Sequence, residues 1–238
     1  NHYECENHSQ DALNFNVEVT KSLLKESILL GVKKFFFLST VHVYGTKQNK
    51  IIDEETLTNP ESYYAKLKAE AEKSIIDLAR NSNTECYILR VSNVVGPPVF
   101  HQTNCWSLLC NDLVAQATNK KNTLNIKNPS VKRDFLCMRD FCKIIEKLES
   151  KKNSNSTQII NLVSGKILSV LEVAKIIADK VKMLEKRELQ IKIKNEIHNE
   201  NMVTYSNQKA RNLGLKFDNN LEHEITDLIN FIKKGKFC

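Results

Sequence analysis

The chain has 238 residues, 41% apolar and 26% charged, an ordinary balance for a globular protein and one large enough for a sizeable core. No apolar run approaches the roughly 20 residues of a membrane span, and no segment has the build of a secretory signal; unpaired cysteines make a reducing cytoplasm the expected compartment. The net charge of +7 suits an anionic substrate or a lysine-rich solvated surface, and the basic runs Lys120-Lys121 and Lys233-Lys234 lack the interleaved aromatics of single-strand nucleic-acid binders.

The apolar spacing predicts a helix over about 11–30, then a strand over 32–38 that closes on the run Phe35-Phe36-Phe37-Leu38. A loop follows, then a helix over 62–80, a strand over 85–91 and a second loop. Next come a helix near 105–118, a short strand at 123–126, a segment 133–150 that includes a helix, and a strand at 158–163. Ser169-x-x-Glu172 has the form of a capping box and opens another helix. A strand near 189–193 and two helices, about 207–213 and 221–234, complete the order. Alternating strands and helices predict an α/β fold with a parallel sheet, in which ligands bind beyond the carboxyl ends of the strands. The polar tract Ser150–Thr157 reads as a surface loop.

Two segments carry the chemistry. Ser39-Thr40-Val41-His42-Val43-Tyr44-Gly45 ends the first strand, and Tyr64-Ala65-Lys66-Leu67-Lys68 opens the second helix 24 residues after Thr40. In that helix Tyr64, Leu67, Ala71, Ile75, Leu78 and Ala79 form one apolar face, with Lys66, Glu70, Lys73 and Asp77 opposite. At roughly 100° per residue, Lys68 falls in the middle of the apolar stripe. A lysine there needs a partner or a function, because burying an unpaired ammonium is costly. Tyr64 stands four residues before it, on the same side of the helix. A cation stabilises phenolate; lowering a tyrosine from about 10 to about 7 takes about 4 kcal/mol. The result would be a tyrosine that passes protons at neutral pH, with the Thr40 hydroxyl sharing its substrate oxygen.

These residues resemble the extended short-chain dehydrogenase/reductase family of nucleotide-sugar epimerases, dehydratases and reductases. The resemblance runs along the chain. It takes in Asn16-Val17 with Thr20, Gly31 to Phe35, Pro60 to Glu72, and Leu89-Arg90-Val91-Ser92-Asn93-Val94-Val95-Gly96-Pro97. It continues through Arg133-Asp134-Phe135 with Asp140, Asn161 to Gly165 with Ser169-Val170, and Lys209-Ala210 with Leu213-Gly214. The resemblance implies an incomplete doubly wound, Rossmann-like parallel sheet with a small interleaved α/β substrate-binding region. Residues 1–95 would be the C-terminal part of a dinucleotide-binding domain that includes the active site. Residues 96–238 would be mainly substrate-binding, with 133–165 partly returning to the sheet. Thr40, Tyr64 and Lys68 would be catalytic. Tyr64, Lys68, Ser39, Ser92 and Asn16 would line NAD or NADP, and Thr40, Asn93 and Arg133 would meet a nucleotide-sugar substrate. The implied assembly is a homodimer built on the Asn16 and Tyr64 helices.

The chain departs from the family pattern in three places. Its 6 glycines, at 31, 45, 96, 165, 214 and 235, form no phosphate-cradling turn of the G-x-G-x-x-G kind. The resemblance therefore implies that further strands and helices precede residue 1, and that this polypeptide alone binds the cofactor weakly and aggregates through an open sheet edge. Thr40-Val41-His42 lacks the carboxylates that follow the threonine in the family's dehydratases and decarboxylases, which favours an epimerase or keto-reductase. His42 could serve as an acid or merely fill space. The stretch His198–Tyr205 has no arginine to clamp a diphosphate. The rival reading is a non-catalytic dinucleotide-sensing relative, or an inactive piece lacking the phosphate loop. The 7 cysteines form no C-x-x-C pair, and the spacings of Cys105/Cys110 and Cys137/Cys142 suit free thiols rather than a metal site.

Overall fold

The computed structural model describes residues 9–46, 51–152, 156–194 and 203–235. Two compact units are present. One comprises residues 1–92, 144–163 and 203–215, and the other residues 93–143, 164–202 and 216–238.

The first unit is built on a parallel three-stranded sheet in the order β1 (Lys34–Thr40), β3 (Glu85–Val91), β7 (Thr157–Leu162). Its pairing is continuous, with Ser39 beside Arg90 and Arg90 beside Asn161. β3 is buried almost throughout, as expected of a central parallel strand. β1 has β3 as its one described neighbour and leaves Leu38 half exposed. Helix α1 runs as an α-helical turn (Ser9–Leu13), a π-helical turn (Asn14–Glu18) and an α-helix (Val19–Leu29). Helix α2 (Tyr63–Ala79) starts at Ser62, whose hydroxyl accepts from the Ala65 amide.

α2 buries Ala65, Leu67, Ala71, Glu72, Ile75 and Ala79, and packs against Leu24, Phe37, Cys86 and Ile88. A short parallel pair joins β2 (Ile51–Ile52) to β10 (Thr204–Tyr205). Helix α4 (Met138–Ser150) ends in this unit. There the Lys34 ammonium donates to the carbonyls of Leu148 (3.0 Å), Glu149 and Lys151, the cation a helix C-terminus favours.

The second unit holds the sheet β4 (Asn93–Val95), β6 (Lys132–Cys137), β8 (Ile167–Ser169) and the parallel pair β5 (Thr123–Ile126) with β9 (Gln190–Ile193). Helices α3 (Leu109–Ala117), α5 (Val170–Glu185) and α7 (Leu221–Lys234) enclose its core. Ser169 and Glu172 make the capping box read from the sequence: the Ser169 hydroxyl accepts from the Glu172 amide, and the Glu172 carboxylate accepts from the Ser169 amide. The short helix α6 (Gln208–Asn212) belongs to the first unit. Helix and strand types agree with the sequence reading, and boundaries move by a few residues: β1 extends to Thr40, and α3 begins at Leu109. Residues 198–202 of the arginine-poor stretch lie outside the described residues. Among the described residues no helix is long and apolar enough to cross a membrane.

Candidate active site

Thr40 is the last residue of β1, and the chain turns there into a 3-10 helix, Val41–Tyr44. The Thr40 hydroxyl is buried and caps that turn by accepting from the His42 amide at 3.2 Å. That bond uses a lone pair and leaves the hydroxyl hydrogen able to donate. His42 contributes its backbone, while its imidazole is exposed. Gly45 closes the turn at φ +74° and ψ −171°, backbone essentially restricted to glycine.

Tyr64 and Lys68 lie one helical turn apart at the start of α2. The Lys68 ammonium is 5.8 Å from the Tyr64 ring centroid and 4.9 Å from that of Phe37, and it donates to the Leu38 carbonyl at 3.1 Å. Both side chains are half-buried. Tyr64 packs against the cluster of Ala12, Val17 and Leu67, which joins α2 to α1.

The cofactor candidates occupy distinct settings. Asn16 sits within the π-helical turn, its side chain donating to the Ala12 carbonyl at 2.9 Å and its own carbonyl accepting from Thr20 at 2.9 Å. Single π-helical turns frequently mark functional positions. Ser92 follows β3 directly, and its amide donates to the Leu162 carbonyl at 3.1 Å. Ser39 is buried, and its hydroxyl donates to Glu72.

Asn93 and Arg133 belong to the second unit. Asn93 donates from its side chain to the Asp134 carbonyl at 2.9 Å. Arg133 is half-buried on β6 and makes no ion pair among the described residues. Its neighbour Asp134 turns inward and accepts from the Ser164 amide, the Ser164 hydroxyl and the Gly165 amide, each at 2.8 Å. That clamp joins β6 to the loop after β7 and leaves Arg133 on the opposite side of the strand.

Sequence reasoning missed a buried polar network. Glu72 of α2 receives Arg90 of β3 at 3.2 Å from Nε and 2.7 Å from Nη2. The Arg90 guanidinium lies 4.7 Å from the Tyr44 ring centroid, and the Tyr44 hydroxyl donates to Asn161 at 2.7 Å. Burial raises the Tyr44 hydroxyl above its ordinary value, against the opposing pull of Arg90. Burial alone would lower Arg90, but the Glu72 carboxylate outweighs it and holds the guanidinium charged. The available signal was Arg90 itself, one charge inside an otherwise apolar run from Cys86 to Val91 that demands a buried partner.

Residues 2–162 match the model of the NAD dependent epimerase/dehydratase family. UDP-glucose 4-epimerase from Vibrio cholerae is 38% identical over 86 residues, covering 35% of this chain and 26% of that protein. GDP-6-deoxy-D-talose 4-dehydrogenase from Aggregatibacter actinomycetemcomitans is 27% identical over 166 residues, covering 67% of this chain and 52% of its own length. The matched chain thus spans about half or less of these relatives. Among solved structures, RMD from Pseudomonas aeruginosa, complexed with NADPH, superposes with a TM-score of 0.80 at 21% identity, covering 94% of this chain and 74% of that one. That likeness gives the fold as Rossmann-like α/β. With the family model matched over more than half its length, the chain belongs to the NAD dependent epimerase/dehydratase family.

Proposed function

We propose that this chain carries the catalytic part of an NAD(P)-dependent epimerase or keto-reductase acting on a nucleotide sugar. The observation that carries the reading is the Lys68 ammonium held between the Tyr64 ring and the strand that ends in Thr40. Family membership and the names of the two relatives, one an epimerase and one a dehydrogenase of nucleotide sugars, support the substrate class.

In this reading Tyr64 is the proton carrier, Lys68 stabilises its phenolate, and Thr40 donates a hydrogen bond to the same sugar oxygen. An epimerase would take the proton from that oxygen and later return it; a keto-reductase would give a proton once. At the nicotinamide end of a dinucleotide, Lys68 and Tyr64 are assigned to the ribose, with Ser92 and Asn16 along it; Ser39, expected there from the resemblance, is instead buried with its hydroxyl donated to Glu72. A bound nicotinamide would supply hydride acceptance and donation. Asn93 and Arg133 are assigned to the substrate diphosphate, which a guanidinium fork suits. The division into a cofactor part (1–95) and a mainly substrate part (96–238) belongs to the same proposal. An exposed stripe of Phe15, Val19 and Leu23 along α1 supports a homodimer that buries this face.

The test is product analysis with a panel of UDP-, GDP- and dTDP-sugars and their 4-keto forms in the presence of NAD or NADPH. A 4-epimer without net cofactor consumption identifies an epimerase, and stoichiometric NADPH oxidation a keto-reductase. With NAD or NADPH shown to be bound, neither product with any sugar contradicts the proposal.

A further inference from the structure

Glu72 lies four residues beyond Lys68 and eight beyond Tyr64, on the same face of α2. Unlike those two it is 3% exposed. Its carboxylate gathers donors from two strands: the Ser39 hydroxyl of β1, and Nε and Nη2 of Arg90 on β3. Ser39, Arg90 and Asn161 are direct neighbours across the parallel sheet. They form a polar row one residue before Thr40, and Tyr44, from the turn after Thr40, closes it through its bond to Asn161. The network therefore touches the helix of Tyr64 and Lys68, the strand of Thr40 and the strand that leads to Ser92.

Stability alone does not account for such a row. Taking a carboxylate and a guanidinium out of water is costly, and a well-packed apolar pair of similar volume is often as stable or more so. What the ionic pair adds is direction. A forked guanidinium and a hydroxyl converging on one carboxylate fix where the helix lies along its axis and how it is turned. Apolar packing tolerates small slips that these bonds do not.

We propose that Glu72 and Arg90 are a positioning pair. They hold α2 against β1 and β3 so that the Lys68 ammonium stays beside the Tyr64 phenol. This inference rests on the proton-carrier reading of Tyr64.

The test replaces both charges at once, Glu72→Met with Arg90→Met, which leaves the local net charge unchanged. The Tyr64 phenol is titrated by NMR in chain labelled at the tyrosine ring carbon bearing oxygen, with Tyr64→Phe to assign its resonance. Thermal unfolding is followed in parallel. The expected result is a melting temperature close to the parent's and a Tyr64 midpoint raised by about half a pH unit or more. An unmoved midpoint, already lowered in the parent, overturns the positioning role and leaves the proton-carrier reading standing. A parent midpoint at the ordinary tyrosine value overturns both. Should the double variant not fold, Ser39→Ala removes one donor and keeps both charges. It is expected to raise the midpoint in the same direction by less, and no movement there also overturns the proposal.

Discussion

Lys68 of α2 donates to the carbonyl oxygen of Leu38 on β1, crossing from helix to strand two residues before Thr40. The bond fixes the end of a long flexible side chain, and with it the distance of its charge from Tyr64. A unit charge pair about 4–6 Å apart in an effective dielectric near 20 is worth about 3–4 kcal/mol. Both groups are half-buried, and solvent screening reduces this to about 1–2 kcal/mol, or about one pH unit.

Replacing Lys68 with Met removes the cation and keeps most of the side-chain bulk. Phenolate loses its stabilising charge, so the Tyr64 proton is held more tightly and any step that needs phenolate moves to higher pH. The expected outcome is a displacement of the basic-form limb of kcat/KM by about one unit upward. The check is the pH profile of turnover from pH 6 to 10.

Gly45 should tolerate no side chain. Its backbone lies in a region essentially closed to other residues, and an added Cβ would come within 2.4 Å of the Asn59 carbonyl. That carbonyl cannot withdraw easily, because the Asn59 amide donates to Val43 at 2.9 Å. Gly45→Ala is expected to destabilise the fold by about 2 kcal/mol or more, read from urea unfolding.

At the start of α5, Ser169→Ala should cost about 1 kcal/mol at neutral pH through loss of the cap. Hydrogen bonding from the Ser169 side chain holds the Glu172 carboxyl below the ordinary carboxylate range. A lowered folded value means that this contribution is present above the unfolded value and is lost as pH falls through the folded one. The difference between parent and variant should therefore be full at pH 7 and smaller at pH 3. Paired urea titrations at the two values check it.

The legible parts of this molecule are those with a period or a local bond. The α2 face, the Ser169–Glu172 box and the burial of β3 follow from residue spacing. The π-helical turn at Asn14–Glu18 leaves no mark on a pattern of that length. β2, β4, β8 and β10 are two or three residues each and exist only through their partners. At the candidate site, Tyr64 and Lys68 came from the i, i+4 spacing, and the structure brings their side chains together. Glu72 was legible as part of a family segment and illegible as a buried group. Its partners Ser39 and Arg90 lie 33 and 18 residues away in sequence and reach it only when the sheet forms.

The central claim is that Tyr64 carries the proton. Removing only its hydroxyl, Tyr64→Phe keeps the ring packed against Ala12, Val17 and Leu67. Turnover of the nucleotide sugar identified by the product panel is expected to fall by about a hundredfold or more, with cofactor affinity and melting temperature little changed. Turnover within about twofold of the parent would contradict the account.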